Sequence, residues 1–293
     1  PPRSTLFPYT TLFRSSLALD VLIFLGINIP TESQKIQAEI ELLRQEIALP
    51  TEEIANLATF EAVKDEEKLA AIRILTNATS AAYIANPRIF PLIVLHTVRQ
   101  CIKYGHSALA ASAYSWYGAL LCGVYNEIEA GYEFGKLSLQ LLEKFNARTL
   151  AAKVSNMFNV FIRPWKEHVK NATADLPEAI QSGFENGDVE YAFYAAVHYC
   201  NYFFYSGSAL DKVCEVQQRY LPEIIKAQYG FHEGFLRINQ QVVLNLLGEA
   251  DKPQSLQGSV FNREDYLSQW SQELVSDSFP LLKNSQVERL III

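Results

Sequence analysis

The chain has 293 residues, with 25 Lys+Arg against 32 Asp+Glu, a net charge of −7 and 49% apolar residues. That apolar content excludes general disorder, and the acidic balance excludes a surface built to displace phosphate counterions, so no nucleic-acid partner is expected. Four cysteines in a chain this long do not make a disulfide framework, and a reducing, cytoplasmic setting is expected.

From the N-terminus, residues 5–15 (TLFPYTTLFRS) read like the translation of a short-read sequencing adapter. Residues 1–15 are therefore expected to be a non-native scar and are set aside. A signal peptide is the other reading of this end. Asp20 interrupts its apolar run, however, and no small-residue cleavage site follows. The other end, at 289–293, is equally abrupt, so the chain is expected to be a piece of a longer reading frame. No membrane span is expected: a span needs ~20 mainly apolar residues. The densest stretch, 192–205, is shorter and carries His198 and Asn201.

Helical periodicity then recurs along the chain. Ile36, Ile40, Leu43 and Ile47 share one helical face. Thr31 with Gln34 reads as a capping box before that helix, and Pro50 marks its end. Ile128, Gly131, Tyr132, Gly135, Leu139 and Leu142 form a second stripe, with Asn126 and Glu129 as its cap pair. Asp175 with Glu178 predicts a helix start ahead of Ala179, and Ser208 with Asp211 predicts one ahead of Val213. Phe231, Phe235, Ile238, Val242 and Leu246 predict a last apolar stripe. Short loops at 86–87, 104–105, 186–188 and 206–208 punctuate these segments. No sustained period-two alternation is present, so strand content should be near zero. Short connections between helices favour antiparallel hairpins.

One hairpin carries a recognisable pattern. Tyr114, Tyr117, Gly118 and Leu121 occupy the first-helix positions of a tetratricopeptide repeat, and Ala130 and Phe134 occupy its second-helix positions. Gly118 and Ala130 should let two backbones approach while Tyr114 and Phe134 fill the space beside them. Two further pairs, 154–170 with 176–184 and 188–205 with 209–220, match less closely. Equivalent positions drift from about 30 to about 50 residues apart, against about 34 in regular repeats. The expected fold is all-α: a tetratricopeptide-like α-α superhelix, a solenoid of antiparallel helical hairpins, over 16–261. A poorly defined, truncated tail is expected at 262–293. A closed helical bundle is the alternative.

Motifs that carry chemistry are scarce. Residues 131–136 (GYEFGK) imitate a phosphate-binding loop, but the glycines are too close and Leu137 replaces the magnesium-binding hydroxyl. The five histidines and four cysteines show no metal spacing. No catalytic, cofactor-binding or metal-binding residue is expected, and the cysteines read as small buried apolar groups. Residues 165–168 (WKEH) are the one compact mixed cluster. Trp165, Lys166 and His168 are the candidate partner contacts, since Trp anchors interfaces well. The competing reading packs Trp165 between hairpins and leaves Lys166, Glu167 and His168 as a solvated turn.

Several strings occur together in order: FLGINIP at 24–30, AYIANP at 82–87, AYSWYG at 113–118, GYEFG at 131–135, FNA at 145–147, WKEH at 165–168 and GDVEYA at 187–192. Together they resemble the tetratricopeptide-like helical region of very large bacterial signalling proteins. In those proteins a serine/threonine kinase domain and a STAND-type ATPase precede the helical array, and a GAF sensor and a histidine kinase or cyclase follow it. The likeness covers about 16–261. It implies a non-catalytic interaction and regulatory segment, with protein partners or other domains of the same chain and no cofactor of its own. The family's catalytic motifs are all missing from this sequence. A free-standing peptide-binding adaptor is the alternative, and an all-α enzyme is the second.

Overall fold

Helix α2, Ser33–Glu46, buries Ile36, Ile40 and Leu43 along one face and leaves most of its charged residues in solvent. Ile47, just past its end, is buried as well. The computed structural model describes residues 19–30, 32–250 and 253–265. The expected scar at 1–15, nearly all of the expected tail and the capping residue Thr31 lie outside the described residues. Glu32 is the N-cap of α2, and it makes no side-chain capping bond.

The described residues fall into two compact units, one ending at Ala209 and one beginning at Leu210. The first begins with helical residues 19–24 (α1), then α2 and a 3-10 helix at Thr51–Thr59. Four longer helices follow: α3 (Glu66–Ala85), α4 (Phe90–Tyr104), α5 (Ala108–Leu120) and α6 (Ile128–Lys144). Helix α7 (Arg148–Met157), α8 (Val169–Asn186) and α9 (Val189–Tyr205) complete the unit. Two first helices end alike: α5 runs into a π-helical segment, Leu121–Tyr125, and α7 into another, Phe158–Ile162. The second unit holds α10 (Leu210–Lys226) and α11 (Gly230–Leu247). Among the described residues there is no strand, only isolated bridges pairing Ala62 with His106 and Gln257 with Asn262. The all-α expectation therefore holds; the predicted loops at 86–87 and 206–208 fall between helices, and those at 104–105 and 186–188 begin on the last residues of α4 and α8.

Helix starts follow side-chain capping in several places. Asp65 accepts from the N–H groups of Glu67 and Lys68 at the head of α3, Ser107 from Leu109 at α5, and Asp188 from Tyr191 at α9. Each bond satisfies one of the unpaired donors of a first helical turn. Two predicted caps are corrected. Asn126 is left-handed, with φ 58°, and Glu127 stands at the N-cap of α6 without a side-chain bond. Asp175 lies inside α8, because His168 caps that helix well upstream.

In the first unit, α3 packs on α4, α5 on α6, α7 on α8 and α8 on α9. Helix α3 also touches α5, α5 touches α7 and α7 touches α9, so these alternate helices stand side by side in a row. A close crossing joins α5 and α6. A Cβ added at Gly118 would sit 2.7 Å from the Gly131 carbonyl oxygen, and one at Gly135 would sit 2.8 Å from the Phe158 ring. The close approach thus pairs Gly118 with Gly131 and Gly135. Ala130, the predicted partner, is one position off that line and only partly buried. Beside the crossing, Tyr114 stacks on Phe134 at 5.5 Å and Tyr117 meets the same ring edge-on at 4.8 Å. One continuous core runs from Leu22 to Met157.

In the second unit, α10 turns Val213, Gln217, Leu221 and Ile224 inward, and α11 packs on it through His232, Leu236 and Val243. The predicted stripe on α11 is corrected: Ile238 is buried, but Phe231 is 42% and Leu246 60% exposed. The buried face is displaced by one residue, about 100° around the helix. Among the described residues no helix is long and apolar enough to cross a membrane.

Candidate functional site

The 3-10 turn Arg163–Trp165 redirects the chain from α7 into α8. It places Trp165 at the surface, 52% exposed. Lys166 pairs with Glu129 and holds its ammonium 4.9 Å above the Tyr132 ring. His168 is spent on capping α8, its Nδ1 accepting from the Lys170 N–H at 3.1 Å. So Trp165 displays apolar surface, while Lys166 and His168 bond within the protein.

Glu167 organises this corner. It accepts from Arg163 Nε at 2.9 Å, from Asn171 Nδ2 at 2.7 Å and from the Tyr132 hydroxyl. Arg163 also donates to Asn159 Oδ1 at 2.8 Å and pairs with Asp175. Burial pushes the Glu167 carboxyl up, but the three hydrogen bonds and the Arg163 charge outweigh it and hold it at about 2. Burial, together with the bond to Glu167, pushes the Tyr132 hydroxyl up to about 12. The network ties α6 and α8 to the π-helical and 3-10 segments that join α7 to α8.

A second constellation lies along the row of α3, α7 and α9. Lys153 Nζ donates to Ser80 Oγ at 3.3 Å and sits 5.2 Å above the Tyr191 ring. Ser80 Oγ also lies 3.3 Å from the Tyr191 hydroxyl. The rings continue along α9: Tyr191 to Tyr194 at 5.5 Å, then Tyr194 to His198 at 6.3 Å. His198 Nδ1 is 3.1 Å from Asn156 Oδ1, and Tyr83 packs on Trp116 at 5.6 Å.

Most of these side chains keep partial exposure, yet their ionisation is strongly perturbed. Burial lowers Lys153, with Asp188 and Glu190 pulling the other way. Burial raises Asp188 and Glu190, raises Tyr191 and Tyr194, and lowers His198 to about 4.

A hollow of about 380 Å³ opens between α2 and the α5–α6 hairpin, lined by Ile47, Leu49, Tyr117 and Phe134 among others. Arg44 closes one side of it by pairing with Glu127 and lying 3.9 Å over the Tyr125 ring.

Residues 131–136 lie inside α6, so their N–H groups are committed to helix bonds and cannot cradle a phosphate. Cys101, Cys122 and Cys200 are buried, and Cys214 is partly exposed. Among the described residues no group of His, Cys, Asp or Glu could hold a metal ion. Sequence reading reached Trp165 because its cluster is contiguous. It missed Ser80, Lys153 and Tyr191, which stand on three helices and meet only when the hairpins stack. Comparison of the chain with protein-family models, curated proteins and solved structures yields no match.

Proposed function

We propose that this chain is a non-catalytic interaction and regulatory segment, a tetratricopeptide-like superhelix belonging to a multidomain cytoplasmic signalling ATPase or kinase. The observation that carries the reading is the row of α3, α5, α7 and α9. A row of alternate helices is what stacked hairpins produce, and such a shared face is where repeat arrays engage partners. Here the row carries a cluster of aromatic and charged side chains from three helices, a composition suited to recognition. The ordered strings between 24 and 192 supply the signalling context. The complete reading frame tests it. The expected result is a phosphate-binding-loop ATPase encoded on the N-terminal side of this segment. Stop codons close to both ends would overturn the reading and favour the free-standing peptide-binding adaptor.

A further inference from the structure

The hollow beside α2 joins an apolar floor to polar groups with bonding capacity to spare. Ile47, Leu49, Leu121 and Phe134 supply the floor. Its volume of about 380 Å³ lies at the small end of ligand clefts, which span ~300–1,000 Å³. That room suits one small molecule and is too little for a partner's helix.

Tyr117 lines the same hollow and is 4% exposed. Among the described residues its hydroxyl makes no hydrogen bond, yet that oxygen is not sealed from solvent. A nearly buried hydroxyl left without a partner is costly, and a bound polar group would relieve the cost. Burial pushes this hydroxyl up, the Glu127 charge adds to the rise and Arg44 opposes it, so the oxygen lies within electrostatic reach of both.

The rim carries charge of both signs. Glu41 and Arg44, three residues apart on α2, share one helical face, and Glu127 stands at the head of α6. Arg44 gives Glu127 one of its five N–H donors and holds its guanidinium 3.9 Å over the Tyr125 ring. Among the described residues Glu127 accepts no other side-chain bond, and Glu41 accepts only from the Gln37 amide. The Arg44–Glu127 pair is 34% and 45% exposed, so it is held only loosely. A purely anionic ligand would meet two carboxylates here, and a purely cationic one would meet Arg44. A zwitterion offers each group its opposite: a carboxylate for the spare guanidinium donors and an ammonium for the carboxylates.

We propose that the hollow between α2 and the α5–α6 hairpin binds a free α-amino acid with a large apolar side chain. That side chain rests on the floor, Arg44 and Tyr117 take the carboxylate, and Glu41 and Glu127 take the ammonium. The site goes beyond the interaction-segment reading and does not depend on it, since the reading frame decides that reading without any binding measurement.

The test is calorimetric titration of the full chain with six probes. L-phenylalanine and L-leucine should each bind saturably. Glycine lacks the apolar body, 2-phenylethylamine the carboxylate, and 3-phenylpropionate and N-acetyl-L-phenylalanine the ammonium, so each of the four should bind at least tenfold more weakly. Tyr117→Phe removes only a hydroxyl that bonds nothing in the protein, and should weaken phenylalanine about tenfold. Glu41→Gln, at an exposed position, should weaken it about fivefold, while Glu185→Gln on the exposed face of α8 should leave it unchanged. If Tyr117→Phe fails to fold, Glu41→Gln against Glu185→Gln carries the test. No saturable binding of phenylalanine or leucine, equal binding of any of the four deficient probes, undiminished affinity in folded Tyr117→Phe, or equal loss in Glu41→Gln and Glu185→Gln would each overturn the proposal.

Discussion

At the residue scale, Glu167 shows how one carboxylate can fix a corner. Its carboxyl sits at about 2 against an ordinary 4.5, so it binds fewer protons folded than unfolded. The stability it contributes is full above pH 4.5 and is lost as the pH falls through its folded value. The side chain is 22% exposed, so the gain is on the order of 2 kcal/mol after solvent screening. Glu167→Gln should lower the unfolding free energy by about that much at pH 7, with the gap to the parent closing between pH 4.5 and 2. Urea titrations of both proteins across that range measure it, and a gap that stays constant with pH would remove Glu167 from this role. His168 offers a second residue-scale measurement. Its ring bonds the Lys170 N–H, so His168→Ala should cost about 1 kcal/mol. His168→Asn should recover most of it, because Asn is a strong N-cap. A partner-contact role for His168 alone would leave both variants as stable as the parent.

At the element scale, the α5–α6 crossing depends on the absence of a side chain at Gly118. A Cβ there meets a backbone oxygen at 2.7 Å, and backbone can yield only by parting the helices. Gly118→Ala should therefore destabilise by about 2–3 kcal/mol. Gly135→Ala meets the side chains of Phe158 and Ile162 and should cost less, while Gly123→Ala meets nothing within 4 Å and should be near neutral. Thermal melts of the three variants would show this order, and a neutral Gly118→Ala would mean the crossing is looser than described. Much of this element was legible in the sequence. Tyr114, Gly118 and Phe134 meet at the α5–α6 crossing as their helical spacing predicts, because the same helix geometry dictates both spacing and contact. The register was not fully legible: Gly131 takes the contact assigned to Ala130, and α11 buries a face one residue away from the one predicted. Amphipathic stripes tolerate such rotations when a helix is apolar over a broad arc, as where Phe231, Phe235 and Ile238 compete with Leu236 and Val243. The cluster of Ser80, Lys153 and Tyr191 was not legible at all. Ser80, Lys153 and Tyr191 converge through packing between hairpins, which leaves no trace in local spacing.

At the scale of the whole molecule, the question is whether stacked hairpins unfold piecemeal or as a body. Linear arrays hold together through nearest-neighbour interfaces, so cooperativity depends on how continuous those interfaces are. In the unit ending at Ala209 the core is unbroken from Leu22 to Met157, and α7 and α8 carry contact onward to α9. Three thiols sample its length: Cys101 on α4, Cys122 in the π-helical segment and Cys200 on α9, all buried. Burial pushes Cys101 and Cys200 up to about 12 and Cys122 to about 11, so none should react while the unit is folded. Cys214, on α10 in the other unit, is partly exposed and should be modified in native protein. Pulsed alkylation along a urea gradient, read by mass spectrometry, should show Cys101, Cys122 and Cys200 opening at one common concentration. Gly118→Ala should move all three downward together, although Cys200 lies far along the chain from the altered crossing. Separate midpoints, or a shift confined to Cys122, would mean that the hairpins are energetically independent and that a ligand held by α9 could not be felt at α4.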